Sequence, residues 1–461
     1  MGYLNPLDSS FLQMESERTP MHVAGLMVFQ LPEDAGPTYL GDLFEAIRTS
    51  DVNLYPFNCK LKEGSVLGLG ASWEQDEDID IDYHVRHSAL PYPGGEKELG
   101  VLVARLHSHP IDLSRPPWEF HLIEGLENNR FALYSKTHHS AIDGMGAMGM
   151  ITRWLSEDSK AENGYAPWAT TSGYKEKASK KGPGKNALTR AIEAAREQLN
   201  ATAELSKAVY HMSKPSENPE GGISSAMNTP KTRFNVKITP QRRVATQLYD
   251  VARFKALSKA TGATINDVAL SVIGAATRRY LMELDALPEN PLVASIPIAL
   301  PRPDGKPGNA VAGFVCPLET DKADLEERVR TINAVTSRTK NQLQGMSLKA
   351  LNQFSYMGVA PLMLSQMSGV GKMIPPLFNL VVSNVVAPQK KLYLKGAELE
   401  ALYPISLLFD GYALNVTIVG YSDKVAMGFV GCRAATPSLQ RLAVYTGEAL
   451  AELEQKVLNK N

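Results

Sequence analysis

Residues 135–149 read SKTHHSAIDGMGAMG, and this stretch indicates the fold more strongly than any other part of the chain. It begins in the last residues of an apolar segment, 130–137, whose composition is typical of a β-strand. Successive side chains of an extended strand point to opposite faces, so His138 and His139 are not expected to serve the same atom. We expect one imidazole to face a cleft and the other to pack inward, which disfavours a two-histidine metal site.

The same stretch contains the groups that general base catalysis needs. Histidine titrates near neutral pH, so it can accept a proton from an alcohol and return it later. A positioned base typically contributes about 10²–10⁴-fold to a rate. Asp143, four residues after His139, is placed either to orient the imidazole or to hold the loop through an ion pair. Gly144 permits a tight turn and a close approach of backbone to substrate.

Residues 144–149 also match the pattern GxGxxG of dinucleotide-binding proteins. That function requires a strand that leads directly into the glycines. Here the polar residues HHSAID intervene between the predicted strand and the first glycine. We interpret the glycines as small residues that let a helix pack closely.

Composition excludes several classes of protein. The 461 residues suit two domains, and 44% hydrophobic with 21% charged residues is a globular composition. A formal net charge of -1 gives no field that favours nucleic acid. Cys59, Cys316 and Cys432 lie far apart, so neither a disulfide framework nor a cysteine zinc site is indicated.

The chain contains no signal-peptide pattern and no stretch of about 20 uninterrupted apolar residues. The nearest approach, 357–382, is interrupted by prolines, glycines and Lys372. We expect it to lie in an apolar groove or to touch a membrane surface. The cytoplasm is the simplest location, with peripheral contact at the inner membrane or at lipid droplets as an extension of it.

The chain divides into three parts by composition. Residues 1–155 are predicted to be an α/β domain that carries HHxxxDG, and 156–235 a linker with one helix. Residues 236–461 are predicted to be a second α/β domain. Its predicted elements include a helix over 266–281, capped by Asn266 or Thr264, and a closing helix over 437–458. Its predicted strands cover 242–249, 291–300, 310–318, 379–383, 412–421 and 424–430.

The motif HHSAIDG resembles the active-site motif of CoA-dependent acyltransferases with a chloramphenicol-acetyltransferase-like fold. Over nearly the whole chain the pattern is similar to the bacterial wax ester synthase/diacylglycerol acyltransferase family. Besides the motif, the matching segments include Pro20-Met21-His22-Val23, Asp82-Tyr83-His84-Val85-Arg86, Arg115-Pro116-Pro117-Trp118-Glu119, Asn266-Asp267 and Ser383-Asn384-Val385. The segment with Trp118 reads PPW where that family has PLW.

The resemblance implies two similar α/β domains with mixed sheets, joined by the crossover linker, with an active-site channel between them. It implies that His139 is the general base, that His138 supports it and that Asp143 is structural. Asn266 would help to position groups near the reacting centre, and the alternative for Asn266 is a helix N-cap. For Trp118 we favour core packing. No metal and no cofactor are expected. Acyl-CoA is counted as a substrate.

The function implied by the resemblance is transfer of a fatty acyl group from acyl-CoA to a long-chain alcohol or to diacylglycerol. Two alternatives remain open at this point. One is a condensation-domain-like enzyme that joins carrier-bound groups, which shares HHxxxDG. The other is a non-catalytic protein that binds lipid-droplet surfaces. An assay with acyl-CoA as the sole donor separates the three.

A methionine-rich apolar segment, 352–367, is predicted to line part of a lipid channel. Ala360, a small residue within it, would leave room for a lipid chain, and Leu402 is expected to approach the same channel. Gly144 is expected to contact substrate. The alternative for the whole segment is ordinary core.

Overall fold

Two six-stranded sheets form the framework of the protein. The computed structural model describes residues 4, 6–62, 71–161, 166–169, 229–299, 311–344, 346, 350, 366 and 376–459. Each sheet contains parallel and antiparallel neighbours, so the predicted α/β class with mixed sheets is confirmed.

The first sheet has the strand order β11-β12-β1-β6-β5-β4. Its central strands are antiparallel neighbours, and β4 runs parallel to β5. A separate hairpin consists of β2 (Cys59–Leu61) and β3 (Trp73–Gln75). The strands of the sheet are β1 (His22–Gln30), β4 (Val85–Ala89), β5 (Trp118–Leu126), β6 (Arg130–His138), β11 (Tyr393–Leu394) and β12 (Ala397–Ile405).

The second sheet has the order β7-β14-β13-β10-β8-β9, and all six strands predicted for this half are confirmed. Strand β10 runs parallel to both of its neighbours, β13 and β8. The strands are β7 (Arg242–Asp250), β8 (Val293–Ala299), β9 (Val311–Pro317), β10 (Leu380–Val386), β13 (Leu414–Tyr421) and β14 (Lys424–Cys432).

The helices pack their apolar faces against the sheets. On the second sheet they form one continuous core with the buried strand residues. In the described residues, the helices are α1 (Pro6–Met14), α2 (Tyr39–Arg48), α3 (Ile81–His84), α4 (Glu96–Ser108), α5 (Gly144–Trp154), α6 (Val251–Thr261), α7 (Ile265–Glu283), α8 (Leu325–Gln344) and α9 (Leu439–Leu458). None of them is long and apolar enough to cross a membrane.

Helix α7 begins at a capping box. The Thr264 hydroxyl accepts a hydrogen bond from the Asp267 N–H, and the Asp267 carboxylate accepts one from the Thr264 N–H at 2.9 Å. Of the two candidate caps, Thr264 is therefore the N-cap. Asn266 lies inside the first turn, where its side chain is available for other contacts.

Strands β11 and β12 belong to the first sheet although they come late in the chain. Strand β12 pairs with β1 in antiparallel register, with Leu402 opposite Met27. The sequence-based division places these strands in the 236–461 domain. The structure shows instead that both strands cross over to the first sheet, which the division did not anticipate. The boundaries at 155 and 235 remain predictions, because most of the intervening segment lies outside the described residues.

The two sheets approach each other closely where β14 passes β12. A Cβ atom added to Gly428 would lie 1.8 Å from the carbonyl oxygen of Pro404. No side chain fits at that position without a shift of backbone. The close contact fixes β12 between the two halves of the protein, next to the predicted motif.

Candidate active site

The end of β6 brings both motif histidines to the junction of the sheets. The His138 N–H donates to the carbonyl oxygen of Pro117 at 2.9 Å, and the His139 N–H donates to that of Met21 at 2.8 Å. The chain then turns, with the Ala141 N–H donating to the His138 carbonyl oxygen at 3.0 Å. These backbone bonds hold the residues that follow the strand in one conformation.

His138 is almost fully buried and is held by hydrogen bonds. Its Nδ1 atom accepts from the Ser140 N–H at 3.2 Å and lies 2.6 Å from the Ser140 hydroxyl oxygen. The Nε2 atom lies 3.3 Å from a carboxylate oxygen of Glu15, which also accepts from the Met21 N–H. Since Nδ1 accepts, the proton is assigned to Nε2, and His138 ties the strand end to the segment that follows α1.

His139 points the other way and lines an apolar cavity. Its ring is half-buried and stacks on Phe11 of α1, with the ring centroids 4.2 Å apart and the planes 15° apart. The strand alternation therefore places one imidazole inward and one in a cleft, as the sequence pattern predicts. Of the two motif histidines, His139 lines the cavity and His138 does not.

The cavity at His139 has a volume of about 140 Å³ and lies between the two halves of the chain. Strands β12, β1 and β6 of the first sheet and helix α5 form one wall, while β10 and β13 of the second sheet form the other. Its apolar lining includes Val23, Met27, Ile142, Met148, Ile151, Trp154, Val385, Leu402, Ile405 and Val419. Such a lining suits the hydrocarbon part of a ligand better than a charged one.

Asp143 is the N-cap of α5. Its Oδ1 atom accepts a hydrogen bond from the Gly146 N–H at 2.7 Å, and its side chain is buried. Gly144 follows at a close approach, since a Cβ atom there would lie 3.2 Å from Cγ2 of Val385. Asp143 thus caps α5 at the end of the motif, and the structural role that the resemblance implies for it stays a prediction.

Asn266 lies beside the second wall of the cavity. Its Oδ1 atom accepts a hydrogen bond from Nδ2 of Asn384 at 3.2 Å, and the neighbours of Asn384 on β10, Ser383 and Val385, line the cavity. The next residue, Asp267, accepts from Nδ2 of Asn333 at 2.8 Å. The structure therefore joins the ND and SNV segments, although their roles in a reaction stay predictions.

The other predicted site residues have three different outcomes. Leu402 and Gly144 line the cavity with His139. Trp118 packs in the core against Phe57, with its Nε1–H donating to the Phe57 carbonyl oxygen at 2.9 Å. Ala360 and the 352–367 segment lie outside the described residues, except for Gln366.

A buried hydrogen-bond network next to the cavity was not predicted from the sequence. His107 Nδ1 accepts from the Tyr134 hydroxyl at 2.9 Å, and its Nε2–H donates to the carbonyl oxygen of Ser406 at 2.9 Å. Ser406 lines the cavity immediately after β12. Burial lowers the pKa of His107 to about 3, so the ring is neutral at physiological pH. The network could not be inferred, because its members lie far apart in sequence.

A buried ion pair completes this region. Nζ of Lys136 lies 2.9 Å from a carboxylate oxygen of Glu119 and also donates to the carbonyl oxygens of Leu106 and His109. Burial alone would raise the pKa of Glu119, but the bond to His121 and the Lys136 ammonium lower it to about 2. The pair links β5 and β6 to the end of α4 and is part of the scaffold behind the motif.

Within the described ranges, no group of three or more His, Cys, Asp or Glu side chains is arranged to hold a metal ion. The three cysteines are buried as free thiols. The expectation that the reaction needs neither metal nor cofactor stays a prediction.

A strand that ends in HHxxxDG and presents one histidine to an apolar cavity between two α/β halves defines an acyltransferase of the chloramphenicol-acetyltransferase-like class. Residues 4–269 match the model of the wax ester synthase/diacylglycerol acyltransferase catalytic domain, and 307–454 match the WS/DGAT C-terminal domain. The chain therefore belongs to the wax ester synthase/diacylglycerol acyltransferase family and is an acyltransferase.

Curated relatives cover the whole chain. A putative diacylglycerol O-acyltransferase of Mycobacterium tuberculosis is 44% identical, covering 99% of this chain and 100% of the relative. The O-acyltransferase WSD of Acinetobacter baylyi is 36% identical, covering 98% of this chain and 97% of the relative. Enzymes of this family are thus similar to the chain from end to end.

Solved structures support the same fold. The wax ester synthase/diacylglycerol acyltransferase from Marinobacter aquaeolei VT8 superposes with a TM-score of 0.78 at 36% identity, covering 99% of this chain and 100% of that one. The first condensation domain of the calcium-dependent antibiotic synthetase superposes with a TM-score of 0.59 at 15% identity, covering 99% of this chain and 96% of that one. The second likeness shows a shared fold and nothing further.

Proposed function

We propose that this acyltransferase transfers a fatty acyl group from acyl-CoA to a long-chain alcohol or to diacylglycerol, with His139 as the general base. The observation that carries the proposal is the position of His139, which lines an apolar cavity between the two halves. Relatives named diacylglycerol O-acyltransferase and O-acyltransferase WSD support the choice of acceptors.

In the proposed reaction, the acceptor hydroxyl gives its proton to the imidazole of His139 as its oxygen attacks the thioester carbonyl. The new C–O bond forms and the C–S bond breaks. The imidazolium then returns the proton to the sulfur of the leaving CoA. The direct attack involves no acyl-enzyme, and the base is expected to contribute about 10²–10⁴-fold.

The surroundings of His139 support this role in two ways. An apolar cavity excludes water, which would otherwise hydrolyse the thioester. Burial of the acyl chain contributes about 25 cal/mol per Å² of apolar surface. His138 and Asp143 hold the backbone on either side of the base, and Asn266 is placed near β10 to position a reacting group.

We further propose that the enzyme works at a lipid surface, as a peripheral protein of the inner membrane or of lipid droplets. Met145 and Val386 support this proposal, because they are 52% and 67% exposed. They follow Gly144 and Val385 in the chain, the two residues that meet at the rim of the cavity.

A condensation-type reaction on carrier-bound groups is the second candidate, because condensation domains share the fold. Full-length similarity to acyltransferases disfavours it, and it equally disfavours a non-catalytic lipid-binding protein.

The test uses purified protein with palmitoyl-CoA and either hexadecanol or diacylglycerol. We expect acceptor-dependent release of free thiol and formation of the corresponding ester, identified by mass spectrometry. Turnover with a carrier-bound acyl donor but none with palmitoyl-CoA would support the condensation-type alternative instead.

A further inference from the structure

A second, larger cleft lies at the junction of the two halves. Its volume is about 640 Å³. Helix α4 of the first half forms one wall, and the start of β7 and the segment that follows β14 form the other. The charged and titratable residues of its lining are Arg105 and His109 on the first wall, Arg242, Arg243 and Arg433 on the second, and Glu17.

The cleft is cationic in a protein whose net charge is -1. Among the described residues, no carboxylate lies within salt-bridge distance of Arg105, Arg243 or Arg433. Other arginines of the same chain do have such partners: Arg18 pairs with Asp410 at 2.8 Å, and Arg115 with Asp80 at 2.9 Å. Four arginines, Arg105, Arg242, Arg243 and Arg433, therefore line a cleft whose lining includes one carboxylate, that of Glu17.

Arg243 is more buried than Arg105 and Arg433. It is half-buried, and its Nε atom is buried without a hydrogen-bond partner among the described residues. The neighbouring Arg242 differs, because it donates to the carbonyl oxygens of Pro240 and Arg18. A buried guanidinium N–H with no acceptor costs free energy. The terminal nitrogens of the same half-buried guanidinium are the ones that can donate to an anion in the cleft.

The walls of the cleft are fixed relative to each other. The Arg242 N–H donates to the Ser108 hydroxyl oxygen at 2.9 Å across the junction, and the Arg433 N–H donates to the Gln241 carbonyl oxygen at 3.0 Å. The arginines thus lie on elements whose relative positions are fixed by hydrogen bonds. A ligand would therefore bind to a preformed site.

The cleft also lies near the proposed base. Glu17 precedes Met21 by four residues, a span of at most about 14 Å. The Met21 carbonyl oxygen accepts from the His139 N–H at 2.8 Å. Glu17 therefore lies within about 20 Å of the His139 backbone, which places this part of the cleft lining in the same region of the molecule as the motif.

We propose that this cleft binds the phosphate groups at the nucleotide end of acyl-CoA, through Arg105, Arg243 and Arg433. The inference rests on the proposed function, which supplies acyl-CoA as the donor. The guanidinium forks match phosphate oxygens, and the apolar lining residues Val101 and Pro240 offer a surface to the adenine ring. The concave shape suits one phosphorylated molecule better than the headgroups of a flat lipid surface.

The test compares Arg105→Gln and Arg433→Gln, which remove exposed charges, with Arg330→Gln. Arg330 is an exposed arginine on α8 that does not line the cleft. Calorimetry measures binding of free CoA and of 3′-dephospho-CoA, and kinetics measure KM for palmitoyl-CoA and for S-palmitoyl-pantetheine, which lacks the nucleotide. The melting temperature verifies that each variant folds.

We expect each cleft variant to weaken CoA binding and to raise KM for palmitoyl-CoA about tenfold, the loss that 1.4 kcal/mol of charge-assisted hydrogen bonding gives. KM for the pantetheine thioester and kcat should stay unchanged, and Arg330→Gln should behave as wild type. Unchanged CoA binding in folded cleft variants would overturn the proposal. So would weaker binding to phosphatidylglycerol vesicles with unaltered CoA binding, since the cleft would then serve lipid headgroups.

The two hypotheses fail separately. Calorimetry with free CoA requires no turnover, so it tests the cleft even if the protein proves inactive with palmitoyl-CoA. Conversely, an active enzyme whose KM for palmitoyl-CoA is unaffected by both cleft variants would retain the proposed function and lose this site.

Discussion

At the scale of single residues, His138, His139 and Asp143 have different surroundings although they lie within six positions of one another. His138 is enclosed by Ser140 and Glu15, while His139 lines the cavity and stacks on Phe11. Asp143 caps the helix that follows. The motif thus presents one histidine, the proposed base, to the cavity, and its other two polar residues hold the backbone on either side of it.

The N-cap at Asp143 can be tested with one substitution that removes the capping oxygen and a second that keeps it. Asp143→Ala removes the acceptor of the Gly146 N–H and should lower the free energy of unfolding by about 1 kcal/mol, within the usual 0.5–2 kcal/mol for a lost N-cap. Turnover should fall as well, because the turn after His139 loosens. Asp143→Asn keeps a capping oxygen and should recover most of the stability and part of the turnover. Denaturant unfolding and steady-state kinetics measure both.

A different result would change the role of Asp143. If Asp143→Asn were as inactive as Asp143→Ala while retaining wild-type stability, the carboxylate charge would act in the reaction itself. The structural role would then be wrong.

At the scale of elements, the sequence predicted what depends on local pattern. Strand β6, helix α7 and the strands of the second sheet follow from alternation, capping residues and apolar runs. Strand β12 was not predicted, and its place in the first sheet could not be, because it pairs with β1 from a position more than 360 residues later. Such pairing depends on tertiary packing, so the part of the cavity wall that β12 forms was visible only in the structure.

The glycine at position 25 of β1 allows a test of the cavity. Gly25 lines the cavity, and a Cβ atom there would lie 3.8 Å from Cδ1 of Leu402, an ordinary contact. Gly25→Val should therefore fit without strain and fill part of the cavity. We expect a shift of preference towards shorter acyl or alcohol chains, with little change in melting temperature, measured across substrates of increasing length.

Gly420→Val on β13 is the matched control. A Cβ atom at Gly420 meets nothing within 4 Å, and the strand alternation turns it away from the cavity that Val419 lines. Gly420→Val should leave the chain-length preference unchanged. A profile that is equally unaltered in Gly25→Val would mean that the cavity does not hold the lipid chain.

At the scale of the whole molecule, the two halves meet around buried polar groups as well as apolar ones. Histidines of the first half, His22, His84, His107 and His121, are buried, and burial lowers the pKa of each. Their unfolded-state pKa is about 6.5. At lower pH the unfolded chain binds protons that the folded protein excludes, so stability must fall as the solution is acidified.

For His107, the loss of stability on acidification covers the pH range between about 6.5, its pKa in the unfolded chain, and about 3, its pKa in the folded protein. Its contribution is complete above that range and is lost progressively as the pH falls through it, by about 1.4 kcal/mol per pH unit. His107→Gln should therefore reduce the slope of unfolding free energy against pH between 6 and 5. Denaturant titrations at each pH measure the slope.

His109→Gln provides the comparison, because His109 is exposed and only two residues away. It should keep the wild-type slope. Equal slopes for His107→Gln and wild type would show that His107 is protonated in the folded protein, contrary to its burial between Tyr134 and Ser406.

The central claim is that His139 is the base of an acyl transfer. Turnover of His139→Ala with palmitoyl-CoA and hexadecanol, measured beside its melting temperature, tests this claim most directly. His138→Ala serves as the neighbouring control and should act mainly through stability, since it removes the partner of Glu15. We predict that His139→Ala lowers turnover by about two to four orders of magnitude while the fold is retained. Turnover near the wild-type rate in folded His139→Ala would contradict the claim.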